Sequence, residues 1–334
     1  MNDPITSQRD DADTLLVVIV NFRTAELVVD CLASLAGEIG TPRAFRVVVT
    51  DNASGDGSVE RLDRTIHEQG WEGWATVRPL ARNGGFAWGN NEAIRPALAS
   101  EAPPRYVLLL NPDTVVRPGA LAALVAFMDD RPEVGIAGSR LEDPDGTAQW
   151  SAFRFHSVLG ELGDGLRLAA ADRLLARWRV AAPPPPGPSP CPTDWVAGAS
   201  MIVRREVFES IGLLDDKYFM YYEEADFCLR ARRAGWPCWY VPAARVVHLV
   251  GQSSGVTDRR AAGRRLPAYW FRARRHYFLS NHGPAKTVLA DLAWLCGFAS
   301  YRLRRALVRR PDPAPERVLV DFIRHNFHLP VFGR

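Results

Sequence analysis

The chain has 334 residues, 47% of them hydrophobic, with a formal net charge of +3 and five cysteines. That length and apolar content support a sizeable core, in one large domain with appendages or in two modest ones, and exclude a disordered or low-complexity protein. The polar opening MNDPITSQRDDADT is not a secretory leader, no apolar run reaches the roughly 18 residues that span a bilayer, and the odd, scattered cysteines argue for a reducing compartment and against a zinc site.

Residues 1–13 are expected to stay disordered, and the first element is the apolar run LLVVIV (15–20). It reads as a strand buried on both faces, as do FRVVVT (45–50), YVLLL (106–110) and VGIAGS (134–139). Between the first two, TAELVVDCLASLAG places Leu27, Val28, Cys31, Leu32 and Leu35 on one helical face, with Gly37 available to cap it. A second helix is expected over Ser58–Gln69. Strand and helix therefore alternate through residues 14–140, which predicts an α/β fold with a doubly wound, mostly parallel sheet.

In such sheets the ligand lies beyond the carboxyl ends of the strands. Three short polar loops fall there: NFRT after the first strand, DNASGDGS after the second and NPDT after YVLLL. Asn111, Pro112 and Asp113 can form a plain turn, since all three residue types favour turns. Alternatively the rigid strand holds Asp113 out toward a metal ion. RNGGFAWGNNEAI (82–94) is glycine-rich but has neither the P-loop nor the dinucleotide pattern. Its glycines still allow a backbone to approach a diphosphate or a sugar.

PPPPGPSPCP (183–192) reads as an extended connector. After it come a strand at Ser200–Val203, a short helix around Val207, and a helix from Glu223 with Phe227, Ala231 and Ala234 on one face, ended by Gly235. Glu223, Glu224 and Asp226 crowd the start of that helix. They can simply complement its dipole, and Asp226 can pair with Arg230 one turn on. Adjacent carboxylates can also raise the proton affinity of one of them, as a general base needs. His248 ends a later apolar run. Alone it reads as a core or rim residue, but with Asp113 it offers an oxygen-and-imidazole site for Mn or Mg carrying a phosphate.

In order, VVIVNFR, VVVTDNASGDGS, RNGGFAWGNN, LLLNPDT, the stretch from VAGASMIVRREVF to EEADFCLRARRAGW, and VVHLVGQSSG resemble the family 2 glycosyltransferases. The similarity is strongest to the rhamnosyltransferase-like branch that builds bacterial cell-surface polysaccharides, and it covers about Leu15 to Gly255. It implies a GT-A fold, a nucleotide-diphosphate sugar donor, a saccharide or lipid-linked acceptor, and inversion at the transferred sugar. It places Asn21, Arg23, Asp51, Asn83, Asn90 and Asn111 around the donor. Asp113 becomes the metal-binding member of a motif whose first acid is here an amide, and His248 joins the metal site. Trp195 and Gly198 open the acceptor side. Glu224 matches the base, with Glu223 and Asp226 flanking it.

A nucleotidyltransferase is the rival enzyme, but the chain has only two lysines, Lys217 and Lys286, and none in a phosphate-gripping N-terminal loop. A nucleic-acid-binding protein is the rival of another class, because aromatic residues interleave with arginine near the C-terminus. It lacks any nucleic-acid motif, so no nucleic-acid partner is expected. Residues 259–310 hold twelve Arg and one Lys against one acid, Asp291, which leaves the remainder acidic and suggests an anionic partner. Val288, Leu289, Leu292, Leu295, Phe298 and Ala299 recur at helical spacing before Arg302, Arg304, Arg305, Arg309 and Arg310. Such a basic amphipathic helix can lie on a membrane or pack on the catalytic part. The expected organisation is a catalytic domain over 14–257, its acceptor half over 193–257, and a basic helical extension over 258–334. A cytoplasmic location is expected, peripheral on the inner face of the cell membrane.

Overall fold

The computed structural model describes residues 15–40, 44–181, 187–249, 264–309 and 314–327. The N-terminal segment, prolines 183–186, the stretch 250–263 with the end of the histidine motif, and Arg310 lie outside the described residues, as does the boundary expected between 257 and 258.

The first half of the chain runs β1 (Leu15–Asn21), α1 (Ala25–Ala36), β2 (Phe45–Asp51), α2 (Ser58–Glu68), β3 (Ala75–Pro79), α3 (Gly85–Leu98), β4 (Tyr106–Leu110), β5 (Thr114–Val116), α4 (Ala120–Asp130) and β6 (Ile136–Glu142). Then come β7 (Ala152–Phe153), α5 (Val158–Leu166), α6 (Ala169–Leu174), β8 (Cys191–Thr193), β9 (Trp195–Val196), β10 (Ser200–Arg204), α7 (Arg205–Ile211), α8 (Glu223–Arg233), β11 (Cys238–His248), α9 (Ala268–Leu307) and α10 (Val318–Phe327).

The main sheet has the order β3-β2-β1-β4-β10-β6-β11-β5, with β8 paired to β11. β1, β2, β3 and β4 are parallel, as are β6 and β11. β10 enters antiparallel between β4 and β6, and β5 and β8 run antiparallel to β11. All seven residues of β1 are buried because the sheet is covered twice. Leu15, Val17 and Ile19 pack with Val28, Leu32, Leu62 and Leu124 of α1, α2 and α4. Leu16 and Val18 pack with Ile94, Val207 and Phe227 of α3, α7 and α8. Two local expectations change. Gly37 sits at the end of α1 with φ −68°, so its left-handed freedom goes unused, and Ala234 is exposed past the end of α8, although Gly235 does stop it at φ +92°.

Most of the glycine-rich stretch RNGGFAWGNNEAI lies in helix α3, which starts right after its first glycine and carries the amides Asn90 and Asn91. Its small residues are what let it approach the sheet: a Cβ at Gly89 would lie 2.8 Å from Val20 Cγ1. β3 and α4 were not singled out from the sequence.

Beyond the sheet, α9 bends at Gly283 (φ +78°), before Pro284, and packs on α5 and α10. The contact with α5 is close because glycines meet there; a Cβ at Gly165 would fall 2.6 Å from Trp294 O, and one at Gly297 2.7 Å from Leu162 O. Buried Arg274 binds Glu161 of α5 at 2.8 Å and Asp291 of α9 at 2.5 Å. The apolar set read from the sequence divides. Phe298 is fully buried with Trp294, Tyr301 and Phe322, Leu295 is partly buried, and Val288, Leu289, Leu292 and Ala299 face outward. Among the described residues no helix is long and apolar enough to cross a membrane.

Candidate active site

β1 and β2 end side by side, with Asn21 opposite Asp51. Asn21 donates to Asp51 at 2.7 Å and accepts from the Thr24 amide and hydroxyl at 3.1 and 2.9 Å, which starts α1. Asp51 also accepts from the Ser54 amide and hydroxyl, at 2.9 and 2.6 Å. Arg23, exposed and left-handed at φ +60°, donates its backbone N–H to Ser54 Oγ and its Nε to the Ser54 carbonyl. Three residues expected at the donor therefore form one bonded corner, and Ser54, which sequence reasoning passed over, is its hub.

Of the other residues expected at the donor, Asn83 and Asn90 sit beside and on α3. Asn83 accepts from the Gly85 amide at 3.0 Å, which shapes the turn into the helix. Asn90 is fully buried and donates to Phe86 O, and Asn52 donates to Gly85 O at 3.0 Å. The start of α3 is also fastened to the segment that leads into α8. The Phe86 amide donates to Phe219 O at 2.8 Å, and the Asn91 side chain donates to Leu214 O at 2.8 Å and accepts from the Leu214 amide at 3.2 Å.

The residues after β4 do not form a bare turn. The Asn111 amide donates to Ala199 O, Thr114 donates to Asn111 O, and the Leu249 amide donates to Asp113 O. β5 then pairs with the end of β11, setting Thr114 opposite His248. This edge pairing buries Asp113 and brings its Oδ1 to 3.5 Å from His248 Nε2. The two residues that spacing alone left 135 positions apart are thus neighbours.

At α8 three acids have three different surroundings. Asp226 is buried and fully engaged: Arg230 at 2.8 Å, Asn281 of α9 at 2.6 Å, and the Tyr218 hydroxyl at 3.4 Å. Its geometry is that of a clamp between α8 and α9. Glu223 is buried, and desolvation followed by the charge of Glu224 pushes its carboxyl well above the ordinary range. Glu224 is also raised, mainly by desolvation, but it opens onto a cavity and its Oε1 accepts from the Gly198 amide at 3.2 Å. A side chain at Gly198 would displace Glu224, because a Cβ there would lie 2.9 Å from its side chain. Tyr221 and Tyr222 precede the acids at φ +73° and +71°, a left-handed pair that costs on the order of 1–3 kcal/mol each and is held by surrounding packing.

The cavity has a volume of about 1340 Å³. Glu224, His248 and Trp195 line it, so a raised carboxyl and the imidazole beside buried Asp113 meet one space. Trp195 is stacked on Phe153 at 4.2 Å and tied to Arg154 O through Nε1. Most of the lining was missed from sequence, Tyr222, His156 and Gln149 among it. His156 packs against Tyr222 at 4.6 Å, and burial followed by the charge of Arg274 lowers its pKa to about 3, so it faces the cavity as a neutral ring. Gln149 donates to His248 O at 2.8 Å. The aromatic run YFMYYEE was the signal for Tyr222; nothing in the local pattern marked His156 or Gln149.

Residues 16–211 match the sequence model of the family described as Glycosyl transferase family 2. The chain is 31% identical to an N-acetylglucosaminyl-diphospho-decaprenol L-rhamnosyltransferase of Mycobacterium tuberculosis (strain H37Rv), over 79% of this chain and 85% of that protein. It is 27% identical to rhamnosyltransferase WbbL of Escherichia coli K12, over 61% of this chain and 72% of the relative. Among solved structures its fold is similar to GalNAc-T7 crystallised with UDP, GalNAc and Mn²⁺, with a TM-score of 0.55 at 16% identity, covering 93% of this chain and 58% of that one.

Proposed function

The chain belongs to glycosyl transferase family 2 and is a glycosyltransferase, and from that premise we propose that it moves L-rhamnose from a nucleoside-diphosphate donor to a lipid-linked saccharide, with inversion, at the inner face of the cell membrane. The observation that carries this reading is that Glu224 and His248, the latter 3.5 Å from Asp113, open onto one cavity. The names of the mycobacterial and E. coli relatives support the sugar, and the mycobacterial name supports a lipid-linked acceptor. Family membership sets aside the nucleotidyltransferase and nucleic-acid readings.

Transfer at an anomeric carbon needs a base beside the incoming hydroxyl and charge stabilisation where the diphosphate departs. Glu224 takes the proton of the acceptor hydroxyl as that oxygen bonds to the anomeric carbon. The bond from that carbon to the diphosphate oxygen breaks, and its electron pair leaves with the diphosphate. The Gly198 amide holds one carboxylate oxygen, which fixes the direction of the other. Asp113 and His248 would hold Mn or Mg; one hard oxygen and one imidazole nitrogen suit either ion. Among the described residues no group of three His, Cys, Asp or Glu gathers as a closed metal site. When bound, the ion offsets the charge gathering on the leaving diphosphate. Asn21, Arg23, Asp51, Asn83, Asn90 and Asn111 border the nucleotide, and Trp195 and Gly198 border the acceptor.

The test is a panel of nucleoside-diphosphate sugars scored by thermal shift with and without Mn²⁺, followed by turnover and assignment of the product anomer by NMR. A ligand that binds the folded state alone raises its melting temperature by mass action. The reading expects an L-rhamnose donor to give the largest Mn²⁺-dependent shift and Asp113→Ala to abolish that dependence. A shift from rhamnose donors that is the same without metal, or turnover of another sugar only, overturns it.

A further inference from the structure

We propose that the outward face of α9, beyond its bend at Gly283, is a docking surface for an anionic lipid bilayer; this deepens, and rests on, the reading of a lipid-linked acceptor. Val288, Leu289, Leu292, Leu303 and Leu307 are 46–75% exposed. The intervening positions on the same face, Ala285, Cys296, Ala299 and Ala306, are exposed too. At 3.6 residues per turn these nine fall within about 100° of the helix circumference and extend over about 30 Å. Exposed leucines are ordinary when scattered, whereas a continuous stripe marks a surface that something covers.

α9 cannot rotate to hide this stripe. Its opposite face is fixed by Ala290, Trp294, Phe298 and Tyr301 in the core and by the glycine contact with α5. Charge selects the occupant. Exposed Lys286 flanks the stripe on one side, and exposed Arg302 and Arg309 on the other. The single acid between residues 264 and 309 is Asp291, which is buried against Arg274. An apolar strip between two basic margins matches the boundary between acyl chains and anionic headgroups. A second copy of the chain would bring the same cations against themselves, and a nucleic acid would leave the leucines uncovered.

Co-sedimentation of the full chain with phosphatidylglycerol and with neutral phosphatidylcholine vesicles, at low and raised salt, tests the surface without donor or acceptor. Its outcome is therefore separate from which sugar is transferred. The expected result is binding that needs anionic lipid, weakens with salt, and falls roughly 1,000-fold in L289E/L292E/L303E, since each of the three leucines that loses its burial costs about tenfold. A second readout leaves the stripe intact: in C191S, Cys296 is the exposed thiol among the described residues and takes an environment-sensitive fluorophore. Its emission should shift to the blue on anionic vesicles. Undiminished sedimentation of the triple variant, equal binding to neutral vesicles, or a blue shift that follows protein concentration without lipid and accompanies a dimer mass would each overturn the proposal, the last in favour of self-association.

Discussion

Glu224 and Asp226 lie two positions apart and face different tasks, and substitutions should separate them. Glu224 opens onto the cavity with one oxygen held by Gly198, whereas Asp226 is spent on Arg230, Asn281 and Tyr218. Glu224→Gln keeps the hydrogen bond but cannot accept a proton, so kcat should fall about 10²- to 10⁴-fold with donor binding retained. Asp226→Asn should instead lower the melting temperature while leaving kcat within a few-fold. The reverse pattern would assign the base to Asp226. Because desolvation raises the Glu224 carboxyl, its ionised fraction grows only above the ordinary carboxylate range. The acid limb of kcat/KM should accordingly rise through a pKa above about 4.5; a limb at or below that value would contradict the burial account. At this scale the sequence was informative about residue type and limited about environment. EEAD announced a carboxylate cluster, but only the fold decides which member meets solvent, because the helix turns each one 100° from the last.

At the scale of elements, the buried strands were legible because a sheet covered on both faces needs unbroken apolar runs. Helix α3 was not, because its sequence serves closeness rather than propensity: Gly85, Gly89, Asn90 and Asn91 are poor helix formers that fit against Val20, Asn52 and Leu214. The pairing of β5 with β11, which joins Asp113 to His248, was equally hidden, since no local pattern encodes a contact across 135 positions. Gly85 is the point where α3 meets the segment leading to α8. It has φ +89°, and a Cβ there would stand 1.9 Å from Phe219 O. Gly85→Ala must push the two segments apart, at about 1–3 kcal/mol for the backbone alone. The expected outcome is a melting temperature lower by several degrees together with a loss in kcat/KM larger than stability explains at the assay temperature. Normal kinetics in a merely less stable protein would show that the junction does not align the site.

Across the whole molecule, the C-terminal arginines are not one uniform charged surface. Arg265 binds Asp321, Arg275 and Arg304 donate to the carbonyls of Asn326 and Leu166, and Arg274 is buried between Glu161 and Asp291. Asp291, which interrupts the apolar run Thr287–Ala299, is thereby explained: it is the partner of buried Arg274, whose bonds to Asp291 and Glu161 tie both arms of the bent helix α9 to α5. This part of the structure was written in the sequence as a contradiction, one acid among thirteen cations, that becomes sensible only when the helices are brought together. Removing Arg274 would leave two buried carboxylates facing each other. Breaking a buried pair in this way costs about 3–5 kcal/mol, so Arg274→Ala should melt roughly 10 °C below the parent. The sign of its pH dependence follows from linkage. Burial already raises both carboxyls, and loss of the arginine raises them further, so the folded variant binds more protons than its unfolded chain. Its stability is then greatest below the unfolded carboxylate range near pH 4 and declines as pH rises through the raised values. The deficit against the parent should therefore be largest at neutral pH and shrink as the solution is acidified toward pH 5. R274M/E161Q/D291N, which removes all three charges together, should recover part of the loss. Thermal melts of the three proteins between pH 5 and 8 measure both effects, and a deficit that stays the same across that range would show that the arginine matters for packing rather than for holding two carboxylates in the core.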